Sequence, residues 1–309
     1  MPTTSPSGFR SNLRAEDLLA ALMALVFLGY IGAAQLRVVL AAGTDTWTVS
    51  FIALPMAVII FMASLRYALG RDGTTISRWL SEVTEVARDW MPFLLLLLFY
   101  VTFQSRLFQS IQPRTLDTRL LAIDRWFLGG TPSVWMQSWY TPALTNFLTL
   151  CYFLHLILPA VIAAVWYRFD KRVFRELLLA VMIAGSIASI CYLFVPAVGP
   201  GVAFPQLYSR TLEGALYHPI VDVIEQARSP RDVFPSLHVA ISALVLWYGW
   251  RRGRVAFLLL LPFVVGNWVS TLYLRYHYLV DVVAGFATTV LAILLARLAL
   301  RLETKLQTR

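Results

Sequence analysis

The chain has 309 residues, of which 59% are apolar and only 14% are charged. A soluble domain carries roughly 25% charged residues, so the composition excludes a soluble globular protein. The formal net charge of +9 does not indicate nucleic-acid binding, because the Arg residues lie in short segments between apolar stretches rather than in one patch.

Apolar stretches of about 20 residues, the length that spans a hydrocarbon core, recur along the chain. We predict an all-α polytopic membrane helical bundle with about eight transmembrane helices. The predicted spans are roughly residues 18–41, 49–69, 91–110, 143–166, 175–196, 235–250, 255–273 and 278–300. The first span is too long for the apolar region of a cleaved signal peptide.

The spans group into three segments. Residues 1–90 are predicted to hold two transmembrane helices and a cytoplasmic loop, residues 91–301 a six-helix catalytic core, and residues 302–309 a cytoplasmic tail. Within the core, residues 111–142 mix apolar and charged side chains, which is typical of a helix lying in the membrane interface. Residues 197–233 are rich in turn signals.

Basic residues predict the orientation of the chain. With both termini in the cytoplasm, most Arg and Lys residues fall in the cytoplasmic loops, as the positive-inside rule requires. Nearly all basic residues are Arg, which suits a GC-rich genome, and we expect the bacterial inner (plasma) membrane.

Two of the four His residues lie where predicted spans begin. His238 ends the segment FPSLH at residues 234–238, and the free N–H groups of the helix turn that starts there, with the Ser236 hydroxyl, can hold an anion. His277 and Asp281 are four residues apart, so on a helix they would share a face. The carboxylate could then hold the imidazole in one tautomer and leave its other nitrogen to attack phosphorus.

These motifs resemble a known family. PSLH at residues 235–238 followed by His277-x-x-x-Asp281 is similar to motifs two and three of the type-2 phosphatidic acid phosphatase superfamily. The PSLH form, Gly285 and the segment LAIDRWFLG at residues 121–129 look most like the inositol phosphorylceramide synthase branch. The resemblance covers roughly residues 91–300, the last six predicted spans. With both termini in the cytoplasm, His238 and His277 lie at the outer ends of their spans, so we expect the active site at the extracytoplasmic side of the membrane.

The resemblance also implies the role of each residue. His277 would be the nucleophile that forms a phosphohistidine, Asp281 would orient it, and His238 would protonate the leaving group. The phosphatase pattern has an Arg six residues before the nucleophile, where this chain has Thr271, and its first motif is not found near residues 190–200.

A dianionic phosphate nevertheless needs cationic partners. We predict Arg106, Arg231 and Arg275 as substrate-binding residues, together with Ser236. The missing Arg and first motif favour a transferase over simple hydrolysis of a monoester.

Other polar residues are interpreted without a role in catalysis. His155 lies in mid-span and is interpreted as a packing or hydrogen-bonding residue, His218 as a solvated loop residue, and Asp124 with Arg125 as a surface pair. Zinc usually takes three or four His, Cys or carboxylate ligands. The spacing of His277 and Asp281 is explained without a metal, so we expect no metal and no cofactor.

Three functions remain open from the sequence. The first is a lipid phosphotransferase that moves a phospho-alcohol headgroup, such as phosphoinositol, from a membrane lipid to another lipid or a polyol. The second is a phosphatase with the same residues, acting on phosphatidate or a polyprenyl diphosphate. The third is a non-catalytic transporter or scaffold. The intact set of His238, His277 and Asp281 is evidence against this third function. The oligomeric state is not predicted.

Overall fold

The computed structural model describes residues 14–19, 21, 22, 25, 86, 88–91, 114–227 and 231–308. The chain divides into two compact units, residues 1–103 and 104–309. In the first unit, Arg14 pairs with Asp89, and Arg88 pairs with Asp17 at 3.1 Å. Of the predicted spans, 49–69 lies outside the described residues, and only a few residues of 18–41 and 91–110 are described.

The second unit is helical. Its helices are α1 (Asp117–Leu128), α2 (Pro142–Leu154), α3 (Leu158–Phe169), α4 (Lys171–Phe194), α5 (Tyr217–Ala227), α6 (Leu237–Arg252), α7 (Arg254–Tyr273) and α8 (Leu279–Gln307). Single helical turns lie at Pro132–Trp135, Met136–Trp139, Pro200–Ala203 and Pro205–Leu207. Among the described residues there is no strand, only an isolated bridge between Ala197 and Asp232. The predicted all-α class is confirmed for this part of the chain.

Helix starts follow from capping residues in the sequence. The side chain of Thr141 accepts the N–H of Leu144 at the start of α2, where Pro142 takes the first helical position. The Asp170 carboxylate accepts the N–H groups of Arg172 and Val173 at the start of α4. Such side chains replace the missing intrahelical acceptors of the first turn.

Helices α4, α7 and α8 are long and apolar enough to cross a membrane. Leu259 on α7 and Val290 on α8 remain 67% and 59% exposed, which suits contact with hydrocarbon better than contact with water. Helix α6 has 16 residues, so it spans about 24 Å. The apolar helices fit an integral membrane protein.

The span predicted at 143–166 is broken in the structure. It consists of α2 and α3, which are inclined at 47° to each other and can count as one bent span. The reason is Pro159, which lacks an N–H and whose ring crowds the carbonyl of the residue four positions earlier. That residue is His155, which directly follows the last residue of α2.

Helix α6, which carries His238 in its first turn, packs against its neighbours at both ends. Helix α6 packs against α4, α7 and α8. At the end distant from the histidines, Glu176 of α4 accepts hydrogen bonds from Tyr248 and Arg251 of α6 and from Arg297 of α8. This cluster ties the three helices together and so helps to set their relative register.

At the other end, Gly285 allows α8 to approach α6 closely. A Cβ atom at Gly285 would lie 2.7 Å from the carbonyl oxygen of Ser236 and 2.9 Å from Cβ of Val239. Both of these atoms belong to the first turn of α6 or to its cap, so they cannot yield without moving His238.

We expect Gly285→Ala to destabilise the protein by about 1–3 kcal/mol, because overpacking forces a backbone shift. The measurement is the thermal unfolding midpoint of purified protein in detergent. Ala287→Val is the control, since Ala287 is exposed on the same helix. Equal midpoints for the two variants would contradict this account of the contact.

Candidate active site

The three residues expected to carry the chemistry lie in one cluster. His277 is in the turn between α7 and α8, and its Nδ1 is 3.5 Å from Oδ2 of Asp281 in the first turn of α8. His238 is the second residue of α6. Its ring centroid is 5.5 Å from that of His277, and the ring planes meet at 64°. His277 and Asp281 are 2% and 0% exposed, so water has little access to this pair.

A backbone carbonyl defines the tautomer of His277. Its Nδ1 lies 3.0 Å from the carbonyl oxygen of Val233, and a carbonyl oxygen only accepts. Nδ1 therefore carries the proton of the neutral ring, and Nε2 is the nitrogen that can attack an electrophile. From the four-residue spacing, the sequence predicted that Asp281 would fix the tautomer of His277. The hydrogen bond from Nδ1 goes to Val233 instead, because His277 precedes α8 and so does not share a helix face with Asp281.

The Asp281 carboxyl group is buried beside His277. Its Oδ2 accepts the backbone N–H of Tyr278 at 2.7 Å. Its Oδ1 is buried and has no hydrogen-bond partner among the described residues. A buried carboxylate is costly unless an opposite charge or a donor compensates it. The positive charge that an imidazole acquires when Nε2 forms a bond would supply that compensation 3.5 Å away.

Asp124 holds the start of α8. Its carboxylate accepts the N–H of Leu279 at 2.8 Å and that of Val280 at 3.0 Å, so one side chain satisfies two N–H groups of the first turn. Burial raises the pKa of the Asp124 carboxyl above its usual value, and the two N–H donors act in the opposite direction. The interpretation of Asp124 and Arg125 as a surface pair is wrong for Asp124, which is 2% exposed.

Asp117, the first residue of α1, joins two loops of the site. It accepts the N–H groups of Val198 and Gly199 at 3.0–3.2 Å, and the hydroxyl of Tyr278 donates to it at 2.8 Å. Asp117 is also 2% exposed. Helix α1 thus supports the turn that carries His277 through two buried carboxylates, although neither touches the imidazole.

The turn before His277 has an unusual backbone. Helix α7 ends at Tyr273, and Arg275 adopts a φ of 67°, a left-handed conformation that is strained for a residue with a side chain. The carbonyl of Thr271 accepts the N–H groups of both Tyr276 and His277. The residue that replaces the Arg of the phosphatase pattern therefore serves the site through its backbone.

Residues 199–201 form a support beneath this turn. Gly199 has a φ of 89°, and a Cβ atom there would lie 2.3 Å from the carbonyl oxygen of Tyr276. The N–H of Gly201 donates to the carbonyl of Arg275 at 2.9 Å. The first phosphatase motif was expected near residues 190–200. In this region Gly199 and Gly201 instead pack against the backbone of the turn that precedes His277.

Two rings, those of Tyr152 and His155, pack against His238. The Tyr152 ring stacks on His238 with a centroid distance of 4.2 Å and on Tyr276 at 4.9 Å. His155 contacts the same imidazole, with a centroid distance of 3.9 Å. The sequence placed His155 in mid-span and gave no reason to pair it with His238.

The predicted substrate-binding residues are placed in different ways. Ser236 is fully buried, and its hydroxyl accepts the N–H of Val239 as the cap of α6. Arg231 is half-buried in the turn that precedes the FPSLH segment. Arg106 lies outside the described residues. The exposed residue His218 belongs to α5, so its solvated position was predicted correctly, although it lies on a helix.

Arg275 is two residues from His277, but its guanidinium contacts protein groups. Its Nε donates to the Tyr140 hydroxyl at 3.1 Å, and its Nη2 donates to the carbonyl of Arg210. The guanidinium carbon also lies 4.3 Å from the centroid of the Tyr208 ring. These contacts hold the Arg275 guanidinium beside the turn that carries His277.

A polar cavity of about 320 Å³ adjoins Tyr140. It is lined by Tyr140, Thr141, Pro142, Thr145, Ser209, Arg210, Thr211 and Glu213. Residues with hydroxyl groups, one guanidinium and one carboxylate therefore line a common space beside Tyr140.

Residues 118–295 match the PAP2 superfamily, which is more than half of the chain. The chain therefore belongs to this superfamily, whose members are phosphatases or phosphotransferases that act on lipid substrates. No curated protein and no solved structure matches the chain. The superfamily predicted from PSLH and from His277 with Asp281 is confirmed, and membership supports an enzyme, either a phosphatase or a phosphotransferase.

Proposed function

We propose that the chain is a membrane lipid phosphotransferase that moves a phospho-alcohol headgroup, such as phosphoinositol, through a phosphohistidine at His277. The donor is a phospholipid, and the acceptor is the hydroxyl of another lipid or a polyol. The observation that carries this proposal is the arrangement of His277, whose Nδ1 faces Val233 and Asp281. That arrangement leaves Nε2 for attack, with the ring of His238 close by.

The proposed reaction has two steps. Nε2 of His277 attacks phosphorus, and the P–O bond to the lipid alcohol breaks as His238 gives its proton to the leaving oxygen. His238 then takes the proton of the acceptor hydroxyl, the acceptor oxygen attacks phosphorus, and the P–N bond to His277 breaks. Asp281 stabilises the positive charge of the phosphorylated imidazole between the two steps.

Substrate contacts are assigned by charge and position. We assign Ser236, Arg231, Arg275 and Arg106 as the residues that bind the phosphate group. The polar cavity beside Tyr140 offers hydroxyl, guanidinium and carboxylate groups, a mixture of donors and acceptors that suits a hydroxyl-rich headgroup. Buried surroundings at His277 support transfer, because a phosphoenzyme shielded from water is protected from hydrolysis.

The membrane arrangement is part of the same proposal. We assign about eight transmembrane helices, with a six-helix catalytic core at residues 91–301 and two added helices within residues 1–90. Both termini lie in the cytoplasm, and the site opens to the extracytoplasmic face of a bacterial inner membrane. Exposed rings of Trp126, Trp135 and Trp139 suit a membrane interface near the site.

Product analysis tests the proposal. Purified protein is incubated with phosphatidylinositol labelled in its phosphate and with a diacylglycerol of different chain length as acceptor. We expect the label in a new phosphodiester that contains the acceptor, together with an acid-labile, alkali-stable label on the protein. Mass spectrometry of the lipids and of the protein measures both.

Other products would contradict specific parts of the proposal. Release of labelled inorganic phosphate from phosphatidate without transfer would identify the chain as a phosphatase. Superfamily membership is equally consistent with a phosphatase and with a phosphotransferase. Label on neither product nor protein, with any of the candidate donors, would favour the non-catalytic reading.

A further inference from the structure

His155 lies in the break between α2 and α3. Helix α2 ends at Leu154 and α3 begins at Leu158, and Pro159 cannot donate a hydrogen bond to the carbonyl of His155. The break gives the side chain of His155 a direction that a continuous helix would not give it. The mid-span position that suggested simple packing is in fact a bend beside the catalytic cluster.

A hydrogen bond fixes the His155 ring. Its Nδ1 lies 2.9 Å from the carbonyl oxygen of Tyr152, and since the carbonyl only accepts, Nδ1 donates. The His155 ring is 3.9 Å from that of His238, with the planes at 46°. Tyr152 contacts the same imidazole at 4.2 Å and is nearly parallel to it, at 25°. Two rings anchored at the end of α2 thus contact the ring of His238.

We infer that His155 is a positioning residue for His238, an inference that rests on the proposed role of His238 as the proton donor. A general acid must lie within about 2.6–3.2 Å of the atom that it protonates. Small rotations of the imidazole are enough to move its nitrogen out of this range. The contacts with His155 and Tyr152 limit such rotations and hold the His238 ring against that of His277.

The inference separates two kinds of substrate. An alkoxide is a poor leaving group and needs protonation, whereas a nitrophenolate leaves without it. Loss of a residue that aligns the general acid should therefore lower kcat/KM for lipid donors and change kcat/KM little for nitrophenyl esters. A residue that only supports folding would affect both substrates equally.

The experiment uses two substrate pairs with the full-length protein in detergent, and a diacylglycerol of different chain length is supplied throughout as the acceptor. One pair is dioctanoyl phosphatidylinositol and p-nitrophenyl phosphoinositol, and the other is dioctanoyl phosphatidate and p-nitrophenyl phosphate. We expect His155→Ala to lower kcat/KM, which reports the first step alone, about 10-fold to 100-fold on the lipid of the active pair, at or below the lower end of the 10²–10⁴-fold that general acid catalysis supplies. On the nitrophenyl ester the loss of kcat/KM should stay below about threefold, because the second step, in which His238 acts as the base for either substrate, does not enter this ratio.

Three further variants complete the test. His155→Phe keeps an aromatic ring against His238 and should recover part of the loss. His238→Ala should show the same preference for nitrophenyl esters in a stronger form, and His218→Ala, at an exposed His of α5, should behave as the native protein. The nitrophenyl activity also reports the amount of folded enzyme.

Each outcome decides between the assignments. Equal losses of His155→Ala on both members of a pair, or no loss on the lipid, would overturn the positioning role while leaving the proposed function intact. If His238→Ala shows no preference for nitrophenyl esters, its assignment as the proton donor fails, and the inference fails with it. A native protein that turns over neither pair would overturn the proposed function itself.

Discussion

Replacement of His277 by alanine is expected to lower turnover by on the order of 10⁴-fold or more, as loss of a nucleophile does in other enzymes with covalent intermediates. The variant should fold, because the hydrogen bond between the side chain and the carbonyl of Val233 can be lost at a cost of about 1–3 kcal/mol. The acid-labile label on the protein should disappear together with the activity. The measurements are the initial rate of product formation and the phosphate content of the quenched protein.

Two controls make this result specific to the nucleophile. His218→Ala removes an exposed imidazole from α5 and should leave both the rate and the label unchanged. His238→Ala should slow the appearance of the label on a lipid donor, yet the label should still reach His277. A protein label that survives in His277→Ala would place the nucleophile elsewhere.

The second large effect is expected at Asp124, which does not touch the imidazoles. Asp124→Ala removes the acceptor for the N–H groups of Leu279 and Val280 at the partly buried start of α8. Donors left unsatisfied there cost up to about 1–3 kcal/mol, so we expect a lower thermal unfolding midpoint and a lower kcat. Asp124→Asn keeps one side-chain oxygen and should lie between the native protein and Asp124→Ala.

Asp222 provides the matched control. It is an exposed carboxylate on α5, so Asp222→Ala and Asp222→Asn should keep the native midpoint and the native rate. If Asp124→Ala had an unchanged midpoint, the first turn of α8 would not depend on the carboxylate, and the support from α1 that we describe would be incorrect.

The sequence predicted those parts of the site that depend on local patterns. PSLH at residues 235–238 and the spacing of His277 and Asp281 identified the superfamily, and apolar stretches identified the helices. The hydrogen bond from His277 to Val233 could not be predicted, because it joins residues 44 positions apart through the docking of two helix ends.

The supporting residues of α1 illustrate the same difficulty. Asp117 and Asp124 are seven residues apart, so they share a helix face with Leu120 and Leu121, which are buried. Acids on the apolar face of a helix are a signal that could have been recognised. Their partners in residues 198–199 and 278–280 could not, since these contacts depend on tertiary structure alone.

The break at His155 could be predicted only in part from the sequence. Pro159 marks a discontinuity four residues after His155, and the sequence contains that information. Whether the side chain then turns towards lipid or towards another imidazole depends on how α2 packs against α7, which no local pattern determines.

The two carboxylates of α1 have a consequence for biosynthesis. Helix α1 is made long before α8, yet it holds the loop at residues 198–199 and the turn at residues 278–280. Both imidazoles could therefore be present in a nascent chain while no competent enzyme exists, until the last helix has inserted and met the first. A fragment that begins after residue 128 would keep PSLH and His277 with Asp281 and still lack the carboxylates that align them, so matches to these two motifs alone would overcount working enzymes among truncated chains.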